Sequence, residues 1–195
     1  RQMNASLHVA PLSALRPGLT GDYQKINAGI AATGARVLGR YYGVRISEPA
    51  MVKGLKRNRW KGRWDVFQRN GTILLDGAHN PDSIRALVRN LRTEYGNRER
   101  RILIFGVARD KRSDVMLQDL SRYFSQAILV AGLNPRSQEL PVLLFQARKH
   151  FSRLLPETDI GEALRKAAQI TGKNGLVVVT GSFYLIGEVR RLLHD

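Results

Sequence analysis

Four short apolar runs constrain this chain more than any other feature, because each is continuous where a half-wet strand would alternate: Thr72-Ile-Leu-Leu-Asp76, Arg101-Ile-Leu-Ile-Phe-Gly106, Ala127-Ile-Leu-Val-Ala-Gly132 and Gly175-Leu-Val-Val-Val-Thr180. A continuous run needs cover on both faces, as parallel strands have in α/β sheets. Between the runs, Pro81 to Tyr95 puts Ile84, Leu87, Val88 and Leu91 on one helical stripe, and Ile160 to Ile170 does the same with Ala163, Leu164 and Ala167. The pattern predicts an α/β fold over 59–195: a Rossmann-like, mostly parallel sheet with helices on both faces. Asp65–Arg69 reads as one further, edge strand.

The preceding segment, 1–58, has a different character. After the breaker Pro17-Gly18, Asp22 to Tyr42 reads as one long helix with Ile26, Ile30, Val37 and Leu38 as its apolar positions. Ser47-Glu48-Pro49 starts a short helix ending near Leu55, with Ser47 as its cap. Lys56 to Gly62 reads as a hinge. The length of 195 residues leaves room for one full α/β domain and about fifty residues more.

Charge separates the same two parts. Positions 1–64 hold twelve Lys or Arg against the two acids Asp22 and Glu48, whereas 65–195 hold twenty against fourteen. Lys53, Lys56, Arg57, Arg59, Lys61 and Arg63 have no acid between them, and Trp60 and Trp64 lie among and beside them. Such a run suits a nucleotide triphosphate, a polyanionic substrate or a nucleic acid, or is a solvated face. No stretch approaches the roughly 18 apolar residues of a membrane span, and the first residues lack a signal-peptide core. Zero cysteines exclude disulfides and thiolate metal sites, and the expectation is a soluble, cytoplasmic protein.

Ligands of open α/β sheets bind beyond the carboxyl ends of the strands. There the sequence places Asp76-Gly77-Ala78-His79-Asn80-Pro81, then Gly106 to Lys111, then Thr180-Gly181-Ser182-Phe183-Tyr184. Asn80 can cap and Pro81 can open a helix, Gly77 frees the backbone, and Asp76 and His79 are expected to face the crevice. Ser182 would cap a helix whose N-terminus suits a carboxylate or phosphate. Taken singly, these are also a strand-to-helix turn and a cap. No two histidines lie at metal-ligand spacing, and neither GxSxG, GxGxxG nor GxxxxGK[ST] occurs, so the chain carries no triphosphate-binding loop.

In order and spacing, Leu19-Thr-Gly-Asp-Tyr-Gln24-Lys-Ile-Asn27-Ala28, Gly62-Arg63, Leu75-Asp-Gly-Ala-His-Asn-Pro81, Gly106 to Lys111 with Met116-Leu117, and Thr180-Gly-Ser-Phe-Tyr-Leu185 resemble the folylpolyglutamate and dihydrofolate synthases of the Mur ligase superfamily. The resemblance spans Leu19 to the C-terminus and implies a Mur ligase C-terminal domain at 59–195, preceded at 1–58 by a helical remnant of the central ATPase domain. It implies ligation of L-glutamate to a folate carboxylate through an acyl phosphate, with ATP and Mg²⁺ and with the metal ligands upstream of this chain. By the same resemblance Gln24 and Asn27 lie at the adenine, Arg63 at the nucleotide phosphates, Asp76 near the ribose and hinge, and His79, Ser182 and Lys111 near the incoming glutamate. Arg63, Asp76 and His79 are the implied catalytic set, and the implied whole enzyme is a monomer. Tyr23 stands where the family has histidine, Asp65 where glutamate is commoner, and Arg112 where an acid is usual. Two other readings stay open: another amino-acid-adding ligase of this superfamily, and a basic nucleic-acid-binding α/β module.

Overall fold

Each of the four continuous runs becomes a strand buried along nearly its whole length, and together they build the middle of one sheet. The computed structural model describes residues 7–10, 17–132 and 134–194, in two units, Arg1–Trp60 and Lys61–Asp195. The first unit holds α1 (Asp22–Tyr42) and α2 (Glu48–Arg57). The second runs β1 (Asp65–Gln68), β2 (Thr72–Asp76), α3 (Pro81–Tyr95), β3 (Arg101–Phe105), α4 (Ser113–Ser121), β4 (Gln126–Val130), α5 (Leu140–Ala147), β5 (Arg153–Glu157), α6 (Ile160–Thr171), β6 (Leu176–Thr180) and α7 (Phe183–His194).

The strand order is β1-β2-β6-β3-β4-β5, antiparallel only between β1 and β2. Alternate residues of each central strand feed two separate cores. Leu74, Leu103, Phe105, Leu129 and Val178 pack with α3, α4 and α5, whereas Ile73, Leu75, Ile104, Ile128 and Val179 pack with α6 and α7. This is why the runs are continuous: the period of two is present, and both of its phases are apolar. The neighbours β2 and β6 send their following helices, α3 and α7, to opposite faces, which opens a crevice at their carboxyl ends.

The helix starts follow the capping chemistry of the sequence. Ser47 Oγ accepts the Ala50 amide at the head of α2. Asn80 Oδ1 accepts the Ser83 amide while Ser83 Oγ accepts the Asn80 amide, a reciprocal box with Pro81 in the first turn of α3.

Three expectations are modified. Helix α2 continues to Arg57, so the irregular connection starts at Asn58; the Arg59 guanidinium donates to the carbonyls of Gly18, Lys56 and Asn58 and closes the end of the helix. Strand β5 is additional: it is half-exposed at the sheet edge and contains Pro156, which disguises it as a loop. In α1 the large apolar residues are not the buried ones. Ile26, Ile30 and Leu38 are 52%, 57% and 46% exposed, while Gln24, Ala28 and Ala32 are buried. Periodicity tells which residues share a face, and cannot tell which face is covered.

Candidate active site

The turn after β2 is held from beneath by its own aspartate. Asp76 is 2% exposed, and its carboxylate accepts the Trp64 amide at 3.0 Å and the Ala78 amide at 2.9 Å. Burial pushes its pKa above the usual carboxylate value, against the opposing pull of the Trp64 amide, the Arg63 charge and the Ala78 amide. The expectation that Asp76 faces the crevice is therefore not met: both oxygens are turned inward, and the side chain fixes the entry segment to the end of β2. Gly77 donates to the Gly62 carbonyl at 2.8 Å in the same junction. Trp64 sits at φ 50°, in the left-handed region where a non-glycine residue is uncommon, and the hydrogen bond that its amide donates to the Asp76 carboxylate holds it there.

His79 does line the crevice. Its Nδ1 lies 2.8 Å from the Gly77 carbonyl, which can only accept, so Nδ1 carries the proton and Nε2 is the acceptor left open. The end of β6 is tied to the same turn, since Thr180 Oγ1 and the Gly181 amide both donate to the Ala78 carbonyl. Ser182 Oγ accepts the Tyr184 amide at 3.2 Å, so it caps α7 while its own proton remains available to a ligand.

The loops after β3 and β4 complete the crevice. An isolated bridge between Ala108 and Ser137 joins them, and the Gln138 amide donates to the Val107 carbonyl. Asp110 sits between Lys111 at 3.0 Å and Arg136 at 3.6 Å, and Lys111 first, then Arg136, hold its pKa low. The cavity among these loops has a volume of about 150 Å³ and is lined by His79, Lys111, Asn134, Arg136, Ser182, Phe183 and Tyr184, together with the small residues Ala108 and Gly181. It brings His79, Lys111 and Ser182 together.

Two groups lie beyond what the sequence singled out. Asn134 and Arg136 enter the cavity from Asn134-Pro-Arg136, where Asn134 Oδ1 accepts the Arg136 amide; an Asx turn after a continuous strand was the available signal. Phe183 stands between Arg63, whose Cζ lies 4.9 Å from the ring centroid, and His79, whose ring lies at 5.7 Å. A Cβ on Gly77 would come within 2.4 Å of the Phe183 ring, so Gly77 is required by close approach and not by its backbone angle.

The remaining expected residues lie in the first unit. Gln24 is buried and its Oε1 accepts Asn27 Nδ2 at 3.0 Å, one helical turn away, with Asn27 exposed. Of the two tryptophans near the basic run, Trp60 is 63% exposed, whereas Trp64 stacks on Tyr95 and packs against the core. Among the described residues there is no cluster of three His, Asp or Glu that could hold a metal ion, and no helix is long and apolar enough to cross a membrane.

The family described as Mur ligase, glutamate ligase domain, matches residues 62–183. The chain is 31% identical over 183 residues to the folylpolyglutamate synthase of Lacticaseibacillus casei, a match that covers 93% of this chain and 41% of that protein. The folylpolyglutamate synthase of Mycobacterium tuberculosis complexed with ADP shares its fold, with a TM-score of 0.80 at 23% identity over 94% of this chain and 43% of that one. The bifunctional folylpolyglutamate synthase/dihydrofolate synthase of Yersinia pestis, complexed with AMPPNP and Mn ion, has a TM-score of 0.70 at 26% identity over 98% of this chain and 42% of that one. The chain thus spans less than half the length of each of these three relatives.

Proposed function

This chain belongs to the Mur ligases, whose glutamate ligase domain it carries, and we propose that it serves the ATP-dependent ligation of L-glutamate to the γ-carboxylate of a folate, as the glutamate-binding part of a folylpolyglutamate or dihydrofolate synthase. The observation that carries this reading is the crevice itself: one small cavity that gathers two cations, a helix-capping hydroxyl and an open imidazole nitrogen.

Glutamate presents two carboxylates and one amino group. Ser182 at the head of α7 offers a hydroxyl proton and a helix N-terminus to one carboxylate. Arg136, with its planar fork, and Lys111 suit the other, and Asp110 between them keeps both cations in place until a ligand arrives. His79 Nε2 accepts a hydrogen bond from the amino group and orients its lone pair toward an acceptor carbon. Arg63, stacked on Phe183, is the cation that faces the nucleotide phosphates, with Asp76 acting beneath it as a positioning residue.

ATP supplies the phosphoryl group that activates the folate carboxylate. Gln24 and Asn27 are the proposed contacts to its adenine, from 1–58 read as the last part of a nucleotide-binding domain, with 59–195 as the ligase domain. The described residues do not fit a Mg²⁺ site, since they hold no cluster of three His, Asp or Glu. The setting proposed is a cytoplasmic enzyme that is monomeric when whole.

The test is glutamate-dependent ADP release with a reduced folate, in the polypeptide that joins this segment to a phosphate-binding loop. His79→Ala and Arg136→Ala are each expected to lower kcat/KM for glutamate about tenfold, the first from a lost hydrogen bond to the amino group and the second from a lost charge-assisted contact to a carboxylate. Turnover with diaminopimelate in place of glutamate would move the assignment to another amino-acid-adding ligase, and turnover indifferent to both substitutions would remove the crevice from the reaction.

A further inference from the structure

Away from the crevice, the outer groove between α3 and α4 collects four arginines around one sunken carboxylate. Arg85, Arg89 and Arg92 follow the i, i+4, i+7 stripe of α3, and Arg122 stands at the end of α4. With Val88 and Asp119 they line a cavity of about 130 Å³. The Asp119 side chain is 8% exposed and pairs with Arg85 at 3.3 Å and with Arg122 at 3.6 Å. Arg92 donates to the Arg122 carbonyl at 2.9 Å.

One role of this cluster is structural: Arg85, reaching across to Asp119, pins α3 to α4, and Arg122 pairs with the same carboxylate from one turn along its own helix. That role accounts for two of the four cations. Arg89 has no side-chain hydrogen bond or ion pair among the described residues, and Arg92 spends a single N–H on a carbonyl. Each guanidinium offers five N–H donors in a plane, and few acceptors here answer them. The carboxylates present, Asp119 in the groove and Asp82 beside Arg85, leave a net charge of +2 across these six side chains. Planar, permanent cations at helical spacing around a small open cavity match a tetrahedral oxyanion, which takes bidentate contacts from such forks.

We propose that this groove is a phosphate-binding site, formed by Arg85, Arg89, Arg92 and Arg122, separate from the crevice and from the ligase reaction. Asp119 fixes the two outer arginines in place, and Arg89 and Arg92 supply the free donors. The ligand class is a phosphate oxyanion, carried either by a free phosphate ion or by a polynucleotide backbone.

The experiment is an NMR titration of this chain at fixed ionic strength, following the side-chain Nε–H signals of the four arginines. Sodium phosphate is expected to move all four along one saturable curve. Arg89→Gln is expected to weaken that curve about tenfold, the loss of one charge-assisted contact, with the melting temperature in chloride unchanged because Arg89 supports no other residue. Arg92→Gln gives a second, independent loss. A short single-stranded DNA separates the two sources: tighter, strongly salt-dependent binding with the same loss in Arg89→Gln assigns the phosphate to a backbone, and binding no tighter than orthophosphate assigns it to the free ion. Linear shifts that sodium chloride reproduces, or a saturable curve untouched by both substitutions, would overturn the site.

Discussion

The two units of this chain treat their apolar residues in opposite ways. In Lys61–Asp195 each central strand is buried on both faces, and the two cores use every large apolar residue of β2, β3, β4 and β6. In Arg1–Trp60 the long helix α1 buries glutamine and alanine and leaves Ile26, Ile30 and Leu38 in the open. The first pattern is complete within its own residues; the second has apolar surface in excess of its cover. Local sequence makes helices in both units, but only packing on a sheet decides which helix face becomes interior.

The sharpest way to break this contrast is to cut equally deep into each side of it. Phe105→Ala removes a fully buried ring from between β3 and the α3–α5 layer, and is expected to cost about 3–5 kcal/mol. Urea unfolding followed by tryptophan fluorescence reads it well, since Trp64 is packed and Trp60 already exposed. A loss below about 1 kcal/mol would mean that the layer is less tightly packed than its burial indicates. Gly77→Ala comes next. The added methyl would meet the Phe183 ring at 2.4 Å, so either the ring moves off Arg63 and His79 or the turn shifts, at about 1–3 kcal/mol. Thermal unfolding measures the cost, and the ring-current shift of the His79 signals reports the movement. The smallest effect is expected at Ile30→Ser, where an exposed side chain should change the stability of this chain by no more than about 0.5 kcal/mol. A larger loss in the same urea experiment would show that α1 is covered in solution, and would erase the contrast.

The same contrast explains what could be read from sequence. The parallel sheet was legible because β2, β3, β4 and β6 are buried on both faces and carry no competing signal. Caps were legible at Ser47, Asn80 and Ser182, where one side chain meets one nearby amide. Strand β5 was not, because its half-exposed residues and Pro156 carry the chemistry of an edge. In the site, His79, Lys111 and Ser182 could be placed from the rule that ligands gather at strand ends. The inward turn of Asp76 could not, since its partner Trp64 lies twelve residues away. Nor could the part played by Phe183, because a ring between Arg63 and His79 is a property of three elements brought together and not of any one.

Pro156 has a further consequence, for self-association. It is the fourth of the five residues of the edge strand β5, opposite Leu129, and has no amide proton to offer a neighbour. Arg153 and Glu157 close the two ends of that five-residue strand with opposite charges. A missing donor and charged ends make this edge a poorer template for another chain's strand, which blunts the edge-to-edge growth open to a sheet made of continuous Val, Ile and Leu runs. On the β5 side the sheet therefore favours docking through side chains and loops over strand addition, whereas the opposite edge is formed by β1, which carries no proline.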